Sequence, residues 1–267
     1  MIRILLATLA LGTAAQAGEA EDVTGEISVF VDGSLNETRD LASVGGEGHV
    51  AIRVDPNWGV QMDLFGGRFF DDAENNSFIT GGAHLFYTTP QGAVGIATTG
   101  GQVGGYPSIS LGGEAAYFLE NTNFYADVDA ICADHFDTCL MNGRLSTQQF
   151  LTDNLAIRVS GGYGRFLMET PFAKGALSGT ANLDWRMEET PFGLSFAYGY
   201  LRLTEGAGAE AFHSLSASVN IHFGTDTLKD HTRTGPLFTD PSPQISALMG
   251  GYVGFLDEQV LFDPRLR

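Results

Sequence analysis

The sequence predicts an all-β protein: a transmembrane, antiparallel, up-and-down β-barrel of about 12 strands, with an irregular C-terminal periplasmic tail. Three observations predict this fold. Apolar and polar residues alternate with a period of two, the links between these segments are short and long in strict turn, and aromatic residues gather beside the short links. Beyond the first residues of this 267-residue chain, no apolar run is long enough for a membrane-spanning helix.

The first residues have the pattern of a secretory signal peptide. Arg3 gives a positive start, residues 4–11 are apolar, and Ala15-Gln16-Ala17 is a small-residue cleavage motif without a lipobox cysteine. The apolar run is shorter than a membrane helix requires. We therefore predict three parts: a cleaved signal peptide at 1–17, a barrel at 18–223, and a periplasmic extension or plug at 224–267.

The alternation is clearest between Leu177 and Trp185, where apolar residues and glycine alternate with Ser178, Thr180, Asn182 and Asp184. Successive side chains of a strand point to opposite faces, so this pattern indicates strands with one apolar and one polar face. The predicted strands cover residues 24–35, 47–55, 57–66, 77–88, 92–100, 107–119, 122–132, 139–150, 154–166, 174–186, 191–202 and 211–223.

The links between these strands sort by length. Tight turns such as Asp55-Pro56-Asn57 and Glu120-Asn121 alternate with longer links such as 36–46 and 67–76. Membrane barrels have short turns on the periplasmic side and longer external loops. The sequence therefore predicts that both ends of the barrel region lie on the short-turn side.

Aromatic residues beside the tight turns predict a girdle at the periplasmic membrane boundary, where amphipathic rings are favoured. The predicted girdle consists of Trp58, Tyr87, Tyr117, Trp185 and Phe223, and the neighbouring Phe86, Phe118 and Phe150 are assigned to the same ring.

The polar face is predicted to line the lumen, because the apolar face of a membrane barrel meets lipid. The predicted lumen-lining residues are Arg53, Asp63, His84, Glu114, Asp127, Asp129, Arg144, Arg158, Asp184 and Arg186, and His49 and His222 are assigned to the same face. Small inward residues that leave room in the lumen are Gly82, Ala93, Gly95, Ala97, Gly112, Gly162, Ala197 and Gly199. The interleaved charges either select solutes or neutralise one another as a structural network, and the sequence leaves both open.

Cys132 and Cys139 flank a predicted external loop at 133–138 and share outward parity. Exported compartments are oxidising, so we predict a disulfide across the base of this loop. A Cys/His metal site with His135 is the alternative, but too few ligands stand at a recognised spacing.

No enzyme site is predicted. A lipid hydrolase in such a barrel needs a histidine and a serine together on the outer face, and Ser214 points away from His213, the best-placed imidazole. The glycine-rich segment 100–105 precedes a strand instead of a helix, so it does not fit a phosphate loop. The acidic loop 71–76 lacks the spacing of a calcium loop. We expect no metal and no cofactor.

The segments 182–185, 151–154 and 218–223 resemble the porin-type outer-membrane β-barrels of Gram-negative bacteria, over about residues 24–223. The resemblance implies an outer-membrane location with the tail in the periplasm. It also implies that barrel-assembly machinery reads an aromatic residue at the end of the last strand. Phe223 matches that role, although the chain continues to Arg267.

Two functions follow from these expectations. The first is a porin-like channel for passive diffusion of small hydrophilic solutes through a polar, charged lumen. The second is a closed structural or interaction barrel whose external loops or tail bind a partner. The tail itself could dock under the barrel, plug the lumen or bind a partner. Expected partners are outer-membrane lipids and lipopolysaccharide, small hydrophilic solutes and the assembly machinery. Nucleic acid is not expected, because the net charge is −18.

Overall fold

The computed structural model describes residues 23–35, 40–70, 77–103, 106–133, 138–167, 175–204 and 211–238. Twelve strands form one closed antiparallel barrel, in which each strand pairs with its sequence neighbours and the first pairs with the last. The predicted fold class is therefore confirmed. The predicted signal peptide, the acidic loop 71–76, His135 and the tail beyond residue 238 lie outside the described residues.

The strands are β1 (Val23–Leu35), β2 (Asp40–Arg53), β3 (Trp58–Phe69), β4 (Ser77–Thr89), β5 (Gly92–Val103), β6 (Tyr106–Phe118), β7 (Thr122–Ala133), β8 (Thr138–Thr152), β9 (Leu155–Phe166), β10 (Gly175–Arg186), β11 (Phe192–Thr204) and β12 (Ala211–Phe223). One short helix, α1 (Leu228–Thr234), follows β12. Within the described ranges, no helix is long and apolar enough to cross a membrane.

Several strands extend further toward the long-loop end than the alternation predicts. β2 begins at Asp40 instead of residue 47, and β3 continues to Phe69. The added pairs include Gly45 with Gly67 and Gly46 with Gly66. Because glycine has no side chain to mark a face, the apolar–polar alternation is absent from the sequence there, although the strands remain hydrogen-bonded.

The barrel has an apolar outer wall and a largely polar interior. Large apolar side chains such as Val29, Leu145 and Leu215 point outward, whereas Gln61, Asn123 and Gln148 are buried inside. This is the reverse of a soluble protein and suits a wall surrounded by lipid.

The aromatic residues near the tight turns divide between the two faces. Trp58, Tyr87, Tyr117 and Trp185 point outward, as a girdle requires, and Phe223 lies half-buried on the same outer wall. The assignment of Phe86, Phe118 and Phe150 to this girdle was wrong. These three rings face inward and are only 1, 7 and 4% exposed.

Phenylalanine–glycine pairs recur directly across neighbouring strands. Such pairs are Gly25 with Phe223, Gly45 with Phe30, Gly59 with Phe86 and Gly67 with Phe78. In each pair the ring occupies the space that a Cβ on the glycine would need. Glycine therefore allows the rings to lie flat on the barrel wall, an arrangement known to stabilise paired strands.

A methyl group added at Gly67 tests this packing. Its Cβ would lie 2.5 Å from both the Phe78 ring and the Val44 carbonyl oxygen. We expect Gly67→Ala to lower the free energy of unfolding by about 1 to 3 kcal/mol, as overpacking does. Urea unfolding followed by tryptophan fluorescence measures the effect. Gly48→Ala is the control, because the nearest atom to its Cβ is 3.8 Å away. Equal effects at both positions would contradict this explanation.

Cys132 and Cys139 are direct partners across β7 and β8 and form a disulfide, with Cα atoms 4.1 Å apart. Both lie at outward positions near the long-loop end. The bond closes the loop between the two strands and so restricts the conformations of the unfolded chain.

Reduction of this disulfide is expected to lower the free energy of unfolding by about 2 to 3 kcal/mol, because the unfolded chain regains the entropy that closing this loop removes. The comparison of urea midpoints with and without reductant measures the effect. The Cys132→Ser/Cys139→Ser double variant should match the reduced protein and should not respond to reductant. A reductant effect on the double variant would show that the loss comes from elsewhere.

Candidate functional site

The chain turns back into the barrel immediately after the last strand. Gly224 has φ = +77°, and a Cβ at this position would collide with the carbonyl oxygen of Val23. Only glycine tolerates both conditions. Residues 225–238, here called the plug, then enter the lumen from the short-turn end. Thr227 caps α1, because its side chain accepts a hydrogen bond from the Asp230 amide at 3.0 Å.

Arg186 holds the beginning of the plug. Its guanidinium donates to the Thr225 carbonyl at 2.6 Å, to the Thr225 hydroxyl at 3.2 Å and to the Thr227 carbonyl at 3.4 Å. The same side chain donates to the Thr190 carbonyl in the adjacent turn at 3.3 Å. Arg186 was predicted to line the lumen, and it does face inward, but its partners belong to the plug and the neighbouring turn.

Two plug residues bind the tight turns between β6 and β7 and between β8 and β9. Arg233 donates to the Asn123 side chain at 3.0 Å and to the carbonyls of Leu119 and Glu120. Lys229 donates to the side chains of Asn121 at 3.0 Å and Asp153 at 3.3 Å. The plug is therefore fixed around the rim largely by polar contacts.

The end of the plug inserts apolar side chains into the lumen. Leu237 and Phe238 are 1 and 7% exposed and pack in one cluster with the inward-facing Phe86, Phe118 and Tyr125. The Phe238 backbone also pairs with Gln61, whose amide donates to the Phe238 carbonyl at 2.9 Å. Phe86 and Phe118, which were predicted to lie in the girdle, thus form the apolar seat of the plug together with Tyr125.

Above the plug, histidines and carboxylates alternate across β2, β3, β4 and β6. His49 Nδ1 lies 2.8 Å from Asp63, and His84 lies 2.5 Å from Asp63 and 2.6 Å from Glu114. Glu47 extends the series at 3.7 Å from His49 Nε2. This histidine–carboxylate ladder satisfies buried polar groups through one another, as the low-dielectric interior requires.

The wall formed by β7, β8 and β9 carries a second polar network. Arg144 donates to Asp127 at 3.0 Å, and Asn142 donates to Asp129 at 3.1 Å. Arg158 lies over the Tyr125 ring at 4.8 Å and donates to Gln148 at 3.2 Å. The predicted lumen charges on these strands are therefore engaged with one another and with neighbouring polar groups.

An aromatic cluster occupies one side of the lumen nearer the long-loop end. Phe30, Phe65, Phe69 and Phe78 are buried and face inward. The Phe30 and Phe65 rings stack with centroids 5.2 Å apart, and those of Phe65 and Phe78 with centroids 4.9 Å apart. This cluster was not predicted from the sequence, although the position of Phe30 between Ser28 and Asp32 on the polar face was a usable signal.

The structure leaves small internal cavities beside the plug. One, of about 120 Å³, is lined by Glu26, Asp184, Arg158 and His222 together with His231 of the plug. A second, of about 30 Å³, lies against Glu114, Asp127, Arg144 and Phe238. Eight of the predicted lumen-lining residues thus lie around the plug, the ladder and these cavities, and Asp129 belongs to the polar network of β7 and β8. Arg53 lies instead at the short-turn rim, where it donates to the Pro56 carbonyl at 3.2 Å.

A compact cluster joins the barrel seam to the plug. Glu26 of β1 is the direct partner of His222 of β12, and His231 of α1 approaches the same carboxylate. His222 Nδ1 and His231 Nε2 lie 3.2 and 3.4 Å from one oxygen, Glu26 Oε2. The two imidazoles are 3 and 2% exposed, and burial lowers the pKa of His231 below its ordinary value.

His213 lies on the outer wall. Its Nδ1 is 2.7 Å from the Tyr198 hydroxyl, and its ring contacts Tyr200. Ser214 is buried on the inner face. The structure therefore does not bring this histidine and serine together.

A closed barrel with this distribution of polar and apolar faces has the architecture of outer-membrane barrels. No protein-family model matches the sequence, and no curated protein is significantly similar to it. Three similar solved structures share the fold at low identity. The NanC porin has a TM-score of 0.53 at 11% identity, covering 72% of this chain and 98% of that one.

The other two are an outer membrane channel from Pseudomonas putida F1 and the translocator domain of the autotransporter NalP from Neisseria meningitidis. The channel has a TM-score of 0.52 at 12% identity, covering 76% of this chain and 95% of that one. The translocator domain has a TM-score of 0.50 at 13% identity, covering 83% and 96%. At these identities the likeness concerns the fold.

Removal of the Arg186 guanidinium tests how the plug is held. We expect Arg186→Leu to accelerate proteolytic cleavage within residues 225–238 by about tenfold or more, because hydrogen bonds to a charged donor are lost. Mass spectrometry of fragments from limited proteolysis measures the rate. Arg202→Leu, at an outward position of β11, should leave the rate unchanged. Equal protection in both variants would show that Arg186 does not retain the plug.

Proposed function

We propose that this protein is an outer-membrane channel for small hydrophilic solutes, closed at its periplasmic mouth by its own C-terminal plug. The observation that carries the proposal is the placement of residues 225–238 inside the short-turn end of a polar barrel. A closed wall with an apolar exterior supports insertion in the outer membrane. The polar interior supports passage of hydrophilic solutes once the plug has moved.

The contacts of the plug favour reversible closure. The large apolar side chains that are buried with it are Leu228, Leu237 and Phe238, and each contributes about 1.5 to 3 kcal/mol. Most of the remaining contacts are hydrogen bonds to turn carbonyls and polar side chains, which water can replace. The barrel wall itself is continuously hydrogen-bonded. The plug can therefore leave without disruption of the barrel.

The interior supports a route past the ladder. Ala93, Gly95, Ala97 and Gly112 occupy inward positions on β5 and β6 and project little into the lumen. The phenylalanine cluster stands on β1, β3 and β4. With the plug displaced, small solutes would pass beside the β5–β6 wall, in a field set by carboxylates, histidines and arginines on the neighbouring strands.

A second candidate function is a closed barrel whose C-terminal tail binds a partner. The filled mouth favours it, since the plug occupies the short-turn end of the lumen. In this alternative the barrel is an anchor, and no solute crosses it under any condition. The two candidates differ in whether displacement of the plug opens a conducting path.

Single-channel recording of the refolded full chain in planar bilayers tests the proposal. The Leu237→Ala/Phe238→Ala double variant removes the plug side chains that pack in the apolar seat, a loss of several kcal/mol. We expect its open probability to rise by about tenfold or more over that of the unaltered chain. Phe196→Ala/Leu215→Ala makes the same change on the outer wall and should behave like the unaltered chain.

The outcomes separate the candidates. Silent traces from the double variant at all voltages would overturn the channel and favour the anchored interaction barrel. Equal open probability in the unaltered chain and the double variant would show that the plug is not the gate. Migration on a gel before and after boiling shows that each variant has formed the barrel.

A further inference from the structure

We propose that Glu26, His222 and His231 form a binding site for a divalent transition metal, with Zn²⁺ as the best fit. The site joins the barrel seam to the plug. Two buried imidazoles and one carboxylate converge on it, and nitrogen and oxygen donors of this kind suit Zn²⁺. The sequence predicted no metal site, since His222 was assigned to the lumen and His231 to the tail.

The convergence of the three ligand atoms is the main observation. His222 Nδ1 and His231 Nε2 lie 3.2 and 3.4 Å from Glu26 Oε2 without alignment for a hydrogen bond, and all three atoms lie within 4.8 Å of one another. In a tetrahedral zinc site with bonds of about 2.0 to 2.1 Å, neighbouring ligand atoms are about 3.3 to 3.4 Å apart. Two of the three separations, 3.2 and 3.4 Å, are within about 0.1 Å of this range.

The hydrogen bonding of the two imidazoles supports the same conclusion. His222 Nδ1 and His231 Nε2 are buried and have no hydrogen-bond partner. Buried nitrogens without a partner are rare and costly, unless they bind something else. The ladder histidines differ, because both His84 nitrogens face separate carboxylates at 2.5 and 2.6 Å. The ladder is complete without a metal, whereas this cluster is not.

The surroundings position the ligands. The Thr225 hydroxyl lies 3.3 Å from His231 Nδ1, an outer contact of the kind that directs the other nitrogen of a histidine toward a metal. His222 packs over Gly193, where a Cβ would lie 2.8 Å from its Nε2. The adjoining cavity of about 120 Å³ has room for a water molecule as fourth ligand, and Asp184 adds a carboxylate to its lining.

A metal here would connect three elements. Glu26 and His222 belong to the strands that close the barrel, and His231 belongs to the plug helix. Bound Zn²⁺ would therefore hold the plug in the mouth, and chelation would release it. This effect on conduction rests on the proposed function, whereas metal binding by the three residues does not.

Metal binding by the folded full chain in detergent tests the proposal. The protein is stripped with a chelator and titrated with Zn²⁺ against a chromophoric competitor, and with Co²⁺ by visible absorption. We expect one equivalent of Zn²⁺ per chain and a tetrahedral Co²⁺ spectrum. Glu26→Gln, His222→Gln and His231→Gln should each weaken binding by about tenfold or more. His213→Gln, on the outer wall, should leave it unchanged.

Absence of binding at micromolar Zn²⁺, or binding that His231→Gln leaves intact, would falsify the site. Loss of binding in His49→Gln but not in His231→Gln would assign the metal to the ladder and overturn the proposal equally. His231 lies outside the barrel strands, so its variant decides the matter even if Glu26→Gln or His222→Gln does not fold. A barrel that binds Zn²⁺ but never conducts would overturn the proposed channel and support the metal site. A barrel that conducts but does not bind Zn²⁺ would overturn the metal site and support the channel.

Discussion

The structure depends on closure of the sheet through the pairing of β1 with β12. In lipid every backbone donor and acceptor needs a partner within the protein, and a barrel provides one only if its first and last strands meet. The register places Gly25 opposite Phe223 and Glu26 opposite His222. On the outer wall, this register creates the contact between Gly25 and Phe223. On the inner wall, the next pair, Glu26 and His222, forms the base of the polar cluster. Closure and the proposed site share the same register.

Closure also makes the interior a confined polar space, and the described residues fill it in three ways. Histidines and carboxylates neutralise one another in the ladder, phenylalanines lie flat on wall glycines, and the plug enters from the short-turn end. Each arrangement relieves a cost of burial, either of unpaired charge or of empty volume. The plug differs from the others because it is joined to the wall by a single turn at Gly224, so its contacts can open while the wall stays intact.

Features that depend on neighbouring residues in the chain could be predicted from the sequence, whereas features that depend on distant residues could not. Strand number and the facing of residues such as Asp63 or Val29 were predicted because side-chain direction alternates along each strand, independently of what lies opposite. Phe86, Phe118 and Phe150 were misassigned because proximity to a turn does not decide which way a ring points. The strand extension at Gly45 and Gly46 was missed because glycine leaves no trace in the alternation. The contact between His231 and Glu26 could not be predicted, because the two residues are 205 positions apart in the chain.

The sequence by itself determined the barrel class, the approximate strand bounds and the inner and outer faces, because period-two alternation and turn composition act over a few neighbouring residues. The tertiary structure alone decided that residues 225–238 enter the lumen, that Arg186 binds the plug, and that two histidines lie beside one carboxylate oxygen. These features arise between residues far apart in the chain. Only the closed barrel brings such residues together, because its register fixes which inward side chains meet across the lumen and which face the plug.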